Sequence, residues 1–216
     1  DDPLTAAAAT WLGRDPVSGA AVPQPDLPNI REITADARGY AFHATLKPPF
    51  RLAAGTTWDQ LVAATKEMAG GIAPFDLPRL SVQDLFGFLA LRETAPSPPL
   101  QALADICVAQ LDGFRMPPSE AELARRRRSN LTVQQDAMLV RWGYPYVFGT
   151  WFFHMTLTRR LNAAEHAIYR RAVEAHFAAA IGVPRRVEDV CLFVQREADA
   201  PFTIAERIGL GEWAGT

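Results

Sequence analysis

The five-residue pattern Phe-His-x-Thr-Leu occurs twice in this chain of 216 residues, at 42–46 and again at 153–157. The two copies contain two of the four histidines in the sequence. An imidazole can accept or donate a proton near neutral pH, because its unperturbed pKa is about 6.5. Two imidazoles brought to one site can therefore take a proton from one group while giving a proton to another.

Each motif also predicts the direction of its side chains. Successive side chains of a strand alternate between its two faces. Read as a strand, the first motif places His43, Thr45 and Lys47 on one face, and the second places His154 and Thr156 on one face. The alternative is a pair of ordinary half-buried strands with surface His and Thr, but the repetition favours chemistry. We predict two strands at about 40–47 and 150–158, each with an apolar back and a polar front.

The residue types suit a reaction at phosphorus. Opening a cyclic phosphodiester with water needs a base on the water and an acid on the leaving alkoxide, and His43 and His154 fit these roles. The hydroxyls of Thr45 and Thr156 can donate hydrogen bonds to the non-bridging phosphate oxygens. We therefore predict these four residues as catalytic. The motif is symmetric, so it does not say which histidine is the base.

Four further residues are predicted to bind the substrate. Lys47 shares the face of the first motif, Arg51 follows it, and Arg141 and Tyr144 precede the second motif. Arginine can bind a phosphate through two parallel hydrogen bonds. Each residue also has an ordinary interpretation, with Lys47 as a solvated strand end and the others as packing residues.

The run Arg125–Arg128 raises the question of RNA binding. Four consecutive helical residues span more than one turn, so they do not form a single stripe. Cations are favoured at a helix C-terminus by the helix dipole. We therefore interpret the run as a solvated helix end.

A metal site is the main competing interpretation of the histidines. His166 and His176 lie on one predicted helix, but not at the i, i+4 spacing of a helical zinc pair. The sequence contains no Cys-x-x-Cys. We therefore expect no metal and no cofactor.

Composition narrows the partners. The net charge is −2, which does not favour a polyanion such as DNA or RNA as the partner. No apolar run approaches the roughly 20 residues of a membrane span, and no signal peptide is visible. Cys107 and Cys191 do not make a disulfide framework. We expect a cytoplasmic protein that binds a small phosphorylated substrate, with RNA as the less favoured partner and with no membrane and no DNA.

The order of elements predicts the fold class. Each half of the chain contains a motif strand, a helix and a hydrophobic strand that ends in charge, which indicates an internal duplication. We predict an α+β fold in which two antiparallel sheets with flanking helices surround a central cleft. The single bilobal domain covers 1–216, with pseudo-repeats at about 40–115 and 150–210 and a helical connection at about 119–142.

Capping residues and chain breakers predict the remaining elements. Helices are expected at 4–12, 58–69, 98–111, 120–128, 132–142 and 163–181, and strands at 75–80, 84–92, 188–196 and 202–208.

Two H-x-T motifs, each followed by an apolar residue, resemble the 2H (two-histidine) phosphoesterase superfamily, whose members include RNA 2′,3′-cyclic phosphodiesterases and the so-called 2′-5′ RNA ligases. The segments 40–50, 141–147 and 153–158 are similar to an uncharacterised bacterial branch often encoded beside phosphonate-degradation genes. The resemblance covers most of the chain from Trp11 onward. It implies the duplicated two-lobed fold, the same roles for the histidines and threonines, and no metal.

The expected function combines the residues with this resemblance. We expect a metal-independent phosphoesterase, a hydrolase that opens a cyclic phosphodiester of a small phosphorylated metabolite by His/His acid–base catalysis. The resemblance implies a ribose cyclic phosphate in phosphonate metabolism. Two alternatives stay open, namely a 2′,3′-cyclic phosphodiesterase of RNA ends and a non-catalytic anion-binding protein.

Overall fold

The computed structural model describes residues 2–211, and most helices in it begin and end where capping residues predict. The side chains of Thr57, Ser119, Thr132 and Asn162 each accept a hydrogen bond from the backbone N–H three residues on. Gly143 ends a helix in the left-handed conformation. The helices are α1 Pro3–Leu12, α2 Ile30–Ile33, α3 Ala35–Tyr40, α4 Trp58–Gly70, α5 Pro98–Gln110, α6 Glu120–Arg127, α7 Val133–Trp142 and α8 Ala163–Ile181.

The strands pair antiparallel throughout the described residues. They form three sheets there, β1–β5, β2–β3–β4 and β6–β7, whereas two sheets were predicted. Pro78 separates β1 from β2, since proline has no N–H to continue a ladder. The strands are β1 Phe75–Leu77, β2 Leu80–Leu85, β3 Phe88–Glu93, β4 Met155–Thr156, β5 Arg185–Val187, β6 Asp189–Val194 and β7 Thr203–Gly209.

The single strand predicted at 84–92 is wrong, because a hairpin turn lies within it. Phe86 and Gly87 have positive φ angles of 55° and 95°, and Leu85 pairs with Phe88 across the turn. Positive φ at both central residues is the geometry of a two-residue hairpin turn. Phe86 is an exposed apolar residue at the tip, so it made the turn look like part of a hydrophobic strand.

The predicted strand of the first motif does not form. Residues 41–50 lie outside helices and strands, and Ala41 has a positive φ of 62°. The Trp151 indole N–H donates to the Thr45 carbonyl at 2.9 Å, so a side chain takes a bonding position that a neighbouring strand would use. The second motif contributes only β4, whose Thr156 is paired with Ala90 of β3. The two motifs therefore do not lie side by side in one sheet.

The hydrophobic core consists of two clusters, and each draws on both halves of the chain. The first packs α1, β2 and β3 against α8 and includes Trp11, Leu91 and Phe177. The second packs α4 and α5 against β6 and β7 and includes Leu61 and Ile208. Each large apolar side chain buried in this way contributes about 1.5–3 kcal/mol. Strands of one half are thus stabilised by helices of the other half.

The predicted pseudo-repeats and the bilobal duplication remain predictions. The helical connection predicted at 119–142 contains α6 and α7. None of the helices between residues 2 and 211 combines the length and the apolar composition needed to cross a bilayer.

Candidate functional site

His43 lies on the irregular segment that follows α3, and both of its ring nitrogens have partners. Nδ1 is 2.9 Å from the Ala41 carbonyl oxygen, and Nε2 is 2.8 Å from the Thr45 hydroxyl. A carbonyl oxygen can only accept, so Nδ1 carries the proton in the neutral ring. The Thr45 hydroxyl then donates to Nε2, which is the basic atom of the ring. The positive φ of Ala41 turns the backbone at the point where the Ala41 carbonyl meets Nδ1 of His43.

His154 repeats the same local arrangement in the second motif. Its Nδ1 is 3.2 Å from the carbonyl oxygen of Phe152, again two residues earlier in the chain. The Phe152 and Phe88 rings lie 4.9 Å and 6.2 Å from the imidazole. The proton is therefore on Nδ1 here also, and Nε2 is the atom left to accept or donate in a reaction.

Burial lowers the pKa of both histidines. For His43 the hydrogen bond to Ala41 opposes this shift, and the nearby His154 lowers the pKa further. For His154 the bond to Phe152 opposes the effect of burial, while Arg92 lowers the pKa and Glu93 raises it. A pKa below the usual value of about 6.5 favours the neutral form of both rings at pH 7. The two motif segments are in contact, because the indole N–H of Trp151, two residues before the second motif, donates to the Thr45 carbonyl.

A cavity of about 1310 Å³ opens beside the first motif. Its walls include Tyr40, His43, Thr45, Arg125 and Arg126. Within residues 2–211, His154 and Thr156 are not part of this lining, although Phe153 and Met155 of the same motif are. The first motif thus presents its histidine and threonine to the cavity, whereas the second contributes apolar side chains to the lining.

Lys47 also lines this cavity, but its charge is already paired. Its ammonium donates to the carbonyl of Val108 in α5 at 3.2 Å. It also lies 3.6 Å from the carboxylate of Asp112, just after the end of α5. Lys47 was placed beside His43 and Thr45 by strand alternation, and the segment is not a strand. Its role in binding stays a prediction.

The other predicted binding residues are also engaged with neighbours. Arg141 donates to Asp112 at 3.0 Å, and Arg51 pairs with Glu122 at 2.9 Å. The Arg126 guanidinium lies 4.6 Å from the centre of the Tyr144 ring. The sequence contained the signal for Arg126 in the run Arg125–Arg128, which was interpreted as a solvated helix end.

Within residues 2–211, the remaining histidines are not part of the cavity lining. His176 lies between α8 and α1, where its Nε2 is 2.8 Å from the Ala7 carbonyl and its ring contacts Trp11. His166 lies beside Asp84 at the hairpin of β2 and β3. Between residues 2 and 211, no group of three or more His, Cys, Asp or Glu residues is placed to hold a metal ion.

Fold and site together describe an α+β protein with a cavity lined by His43 and Thr45. Residues 45–203 match the family described as "Protein of unknown function (DUF1045)", and the chain belongs to that family.

Two similar curated proteins carry the name "Ribose 1,5-bisphosphate phosphokinase PhnN". The protein from Janthinobacterium sp. (strain Marseille) is 40% identical over 226 residues, which cover 99% of this chain and 50% of that protein. The protein from Laribacter hongkongensis (strain HLHK9) is 34% identical over 205 residues, which cover 94% of this chain and 47% of that protein. The chain therefore spans about half the length of the curated relatives it matches.

The name of the relatives contradicts the predicted reaction. They are named as kinases of ribose 1,5-bisphosphate, so the expected hydrolysis of a cyclic phosphodiester, whether of a small metabolite or of an RNA end, is wrong. The prediction failed because two imidazoles can move protons in many reactions of phosphate esters. The motif therefore does not select the bond that is broken.

Proposed function

We propose that this chain is an enzyme unit that binds a phosphorylated ribose in the cavity beside His43, in the same metabolism as its kinase relatives. The observation that carries the proposal is the pair formed by His43 and Thr45 at the cavity wall. The name of the relatives supports ribose bisphosphate as the class of substrate.

The local hydrogen bonds suit a ligand that carries both phosphate and hydroxyl groups. The Nδ1 atoms of His43 and His154 are held by backbone carbonyls, so each Nε2 has a defined direction. Once the Thr45 hydroxyl turns to donate to a phosphate oxygen, Nε2 of His43 is free to accept a hydrogen bond from a sugar hydroxyl. From the repeated motif we propose His154 in its doubly protonated form as a proton donor and Thr156 as a second hydroxyl contact, although neither side chain lines the cavity within residues 2–211.

We do not expect this chain to bind a nucleoside triphosphate by itself. The phosphate-binding signature G-x-x-x-x-G-K-[ST] needs a lysine directly after a glycine. The chain has two lysines, Lys47 and Lys66, and they follow Leu46 and Thr65. A kinase reaction in the longer relatives would thus need the nucleotide to be bound outside the part that this chain matches.

We also propose that the chain shares the duplicated, bilobal arrangement of the two-histidine superfamily and acts in phosphonate metabolism. The matching carbonyl contacts of the two motif histidines support an internal repeat. The assembly of each core from strands of one half and helices of the other is compatible with a duplication followed by exchange of elements.

Isothermal titration calorimetry with ribose 5-phosphate, ribose 1,5-bisphosphate and ATP tests the proposal. We expect binding of the sugar phosphates and no binding of ATP. His43→Asn and His154→Asn should each weaken sugar-phosphate binding by about two- to tenfold, because a hydrogen bond between neutral groups contributes about 0.5–1.5 kcal/mol. His166→Asn is the matched control and should bind like the wild type. Binding of ATP without binding of either sugar phosphate would refute the proposal.

Turnover is measured separately by ³¹P NMR of each sugar phosphate incubated with the protein, with and without ATP. We expect the phosphorus spectrum to change with wild-type protein and His166→Asn. The His43→Asn variant should be slower by about 10²–10⁴-fold, the usual contribution of a general acid or base. Equal rates for wild type and His43→Asn would show that His43 takes no part in the chemistry.

A further inference from the structure

Arg125 and Arg126 of α6 both line the cavity without a carboxylate partner among residues 2–211, but of the two only Arg126 is partly buried. Its neighbour Arg127 pairs with Asp136 at 2.6 Å. Arg126 makes no ion pair within 4.0 Å among residues 2–211, yet it is partly buried and lines the cavity that contains His43. A guanidinium in this position keeps its full charge available for a ligand.

Tyr144 holds Arg126 in place. The guanidinium lies 4.6 Å from the centre of the Tyr144 ring, which is the geometry of a cation–π contact. Burial raises the pKa of the Tyr144 phenol, Arg126 opposes that shift, and the phenols of Tyr146 and Tyr40 add to it. The Tyr144 ring therefore packs against the Arg126 guanidinium and limits the positions that it can take.

Arg126 lines the same cavity as His43. The Tyr40 ring lies 6.5 Å from the His43 imidazole and also lines this cavity, whereas Tyr144 is not part of the lining within residues 2–211. Arg126 and His43 can therefore contact two separate groups of one ligand, and the Tyr40 ring can contact what joins those groups.

Three other cations that line the cavity are already paired. Lys47 and Arg115 share Asp112, and Arg51 pairs with Glu122. An anion near the C-terminus of α6 is otherwise unfavourable, because the helix dipole is negative there. An anionic group bound at this end of the cavity would therefore depend on Arg126 together with the exposed Arg125.

We infer that Arg126 binds the second phosphate of a sugar phosphorylated at both ends, while the first phosphate lies at His43 and Thr45. The inference rests on the proposed function and adds the residue that distinguishes a bisphosphate from a monophosphate. Arginine suits this role because its planar fork can make two parallel hydrogen bonds to one phosphate.

Calorimetric titration of the Arg126→Gln variant with ribose 1,5-bisphosphate and with ribose 5-phosphate tests this inference. We expect wild type to bind the bisphosphate more tightly than the monophosphate. Arg126→Gln should lose about tenfold or more in bisphosphate affinity, the effect of one charge-assisted hydrogen bond, and less than about twofold in monophosphate affinity. Arg128→Gln is the matched control. It removes an exposed arginine at the C-terminal cap of the same helix and should change neither affinity.

The fold of the variant is checked by thermal melting. No side chain of α6 is fully buried and Arg126→Gln loses only the contact with the Tyr144 ring, so the variant should melt close to wild type. Arg126→Lys keeps the charge but loses the fork, so it should have an intermediate bisphosphate affinity.

Two outcomes overturn the inference. The first leaves the proposed function standing, and the second refutes it as well. If wild type binds both sugars and Arg126→Gln lowers neither affinity, or lowers both equally, Arg126 does not select the second phosphate. The proposed function stands in that case, provided His43→Asn still weakens binding. If wild type binds neither sugar, both the inference and the proposed function are wrong.

Discussion

Asp112 holds together three cations from distant parts of the chain, and the Asp112→Asn variant tests how much this carboxylate stabilises the fold. Its oxygens lie 2.8 Å from Arg115, 3.0 Å from Arg141 and 3.6 Å from Lys47. Asparagine has nearly the same shape, so the substitution removes the charge without opening a cavity. The variant leaves the cations of Lys47 and Arg115 without a carboxylate.

The burial of these groups sets the expected magnitude. The side chains of Lys47, Arg115 and Asp112 are only 7%, 10% and 15% exposed. Removing one partner of a buried ion pair costs about 3–5 kcal/mol. Arg141 is 62% exposed, so its pair with Asp112 adds less than about 1 kcal/mol. The amide oxygen of asparagine still accepts one hydrogen bond, so we expect a loss near the lower limit, about 3 kcal/mol. For a domain of this size, that lowers the Tm by roughly 6–12 °C.

The assay is urea unfolding at pH 7, supported by calorimetry, with Asp76→Asn as the matched control. Asp76 is 84% exposed and pairs with Arg186 on the surface, so its loss should cost less than about 1 kcal/mol. If Asp112→Asn and Asp76→Asn unfold at the same urea concentration, the carboxylate of Asp112 does not stabilise the fold as argued here.

The pH dependence gives a second check on Asp112. Burial raises the pKa of its carboxyl, but the hydrogen bonds and charges of Arg115, Lys47 and Arg141 outweigh burial and lower it. A carboxyl with a lowered pKa in the folded state stabilises above its unfolded pKa of about 3.9. That stabilisation is lost as the pH falls through the folded pKa. The stability difference between wild type and Asp112→Asn should therefore shrink on acidification below about pH 4.

Two further predictions concern Gly143 and the histidines. Gly143 has a φ of +76°, and a Cβ there would lie 2.8 Å from Nη1 of Arg115, so Gly143→Ala should destabilise by about 1–3 kcal/mol in urea unfolding. Gly39→Ala, whose Cβ meets nothing within 4 Å, should not, and equal unfolding midpoints for the two variants would contradict this. Burial lowers the pKa of His43 and His154, so the unfolded chain binds more protons than the folded chain below about pH 6.5 and stability should fall from pH 7 towards 5.5. Thermal melts should show a shallower fall for His43→Asn, and a steeper one would refute the assigned direction.

Local signals in the sequence determined most of the helices. The capping boxes that begin at Thr57, Ser119 and Asn162 involve groups only three residues apart, so a single short segment contains the whole interaction. The hairpin between β2 and β3 was missed for a related reason. Its turn at Phe86 and Gly87 contains an aromatic residue where turn chemistry is usually polar, so the hydrophobic pattern gave the wrong element.

The sequence predicted part of the arrangement of the motif histidines, and the tertiary structure decided the rest. The contact of His43 with Thr45 spans two residues, and the pattern H-x-T predicted that these side chains would act together. The pattern did not predict that an irregular segment, rather than a strand, would bring them together. In that segment the Thr45 carbonyl accepts a hydrogen bond from Trp151, which lies far along the chain.

Only the tertiary structure decided which cations are available to a ligand. Lys47, Arg51 and Arg126 look alike in the sequence, but the fold pairs the first with Asp112 and the second with Glu122, and rests the third on an aromatic ring. An ion pair forms between groups that are close in space, whatever their separation along the chain. A periodic pattern records only the spacing between neighbours, so it can place a charged residue on an element but cannot say which opposite charge the fold will bring to it.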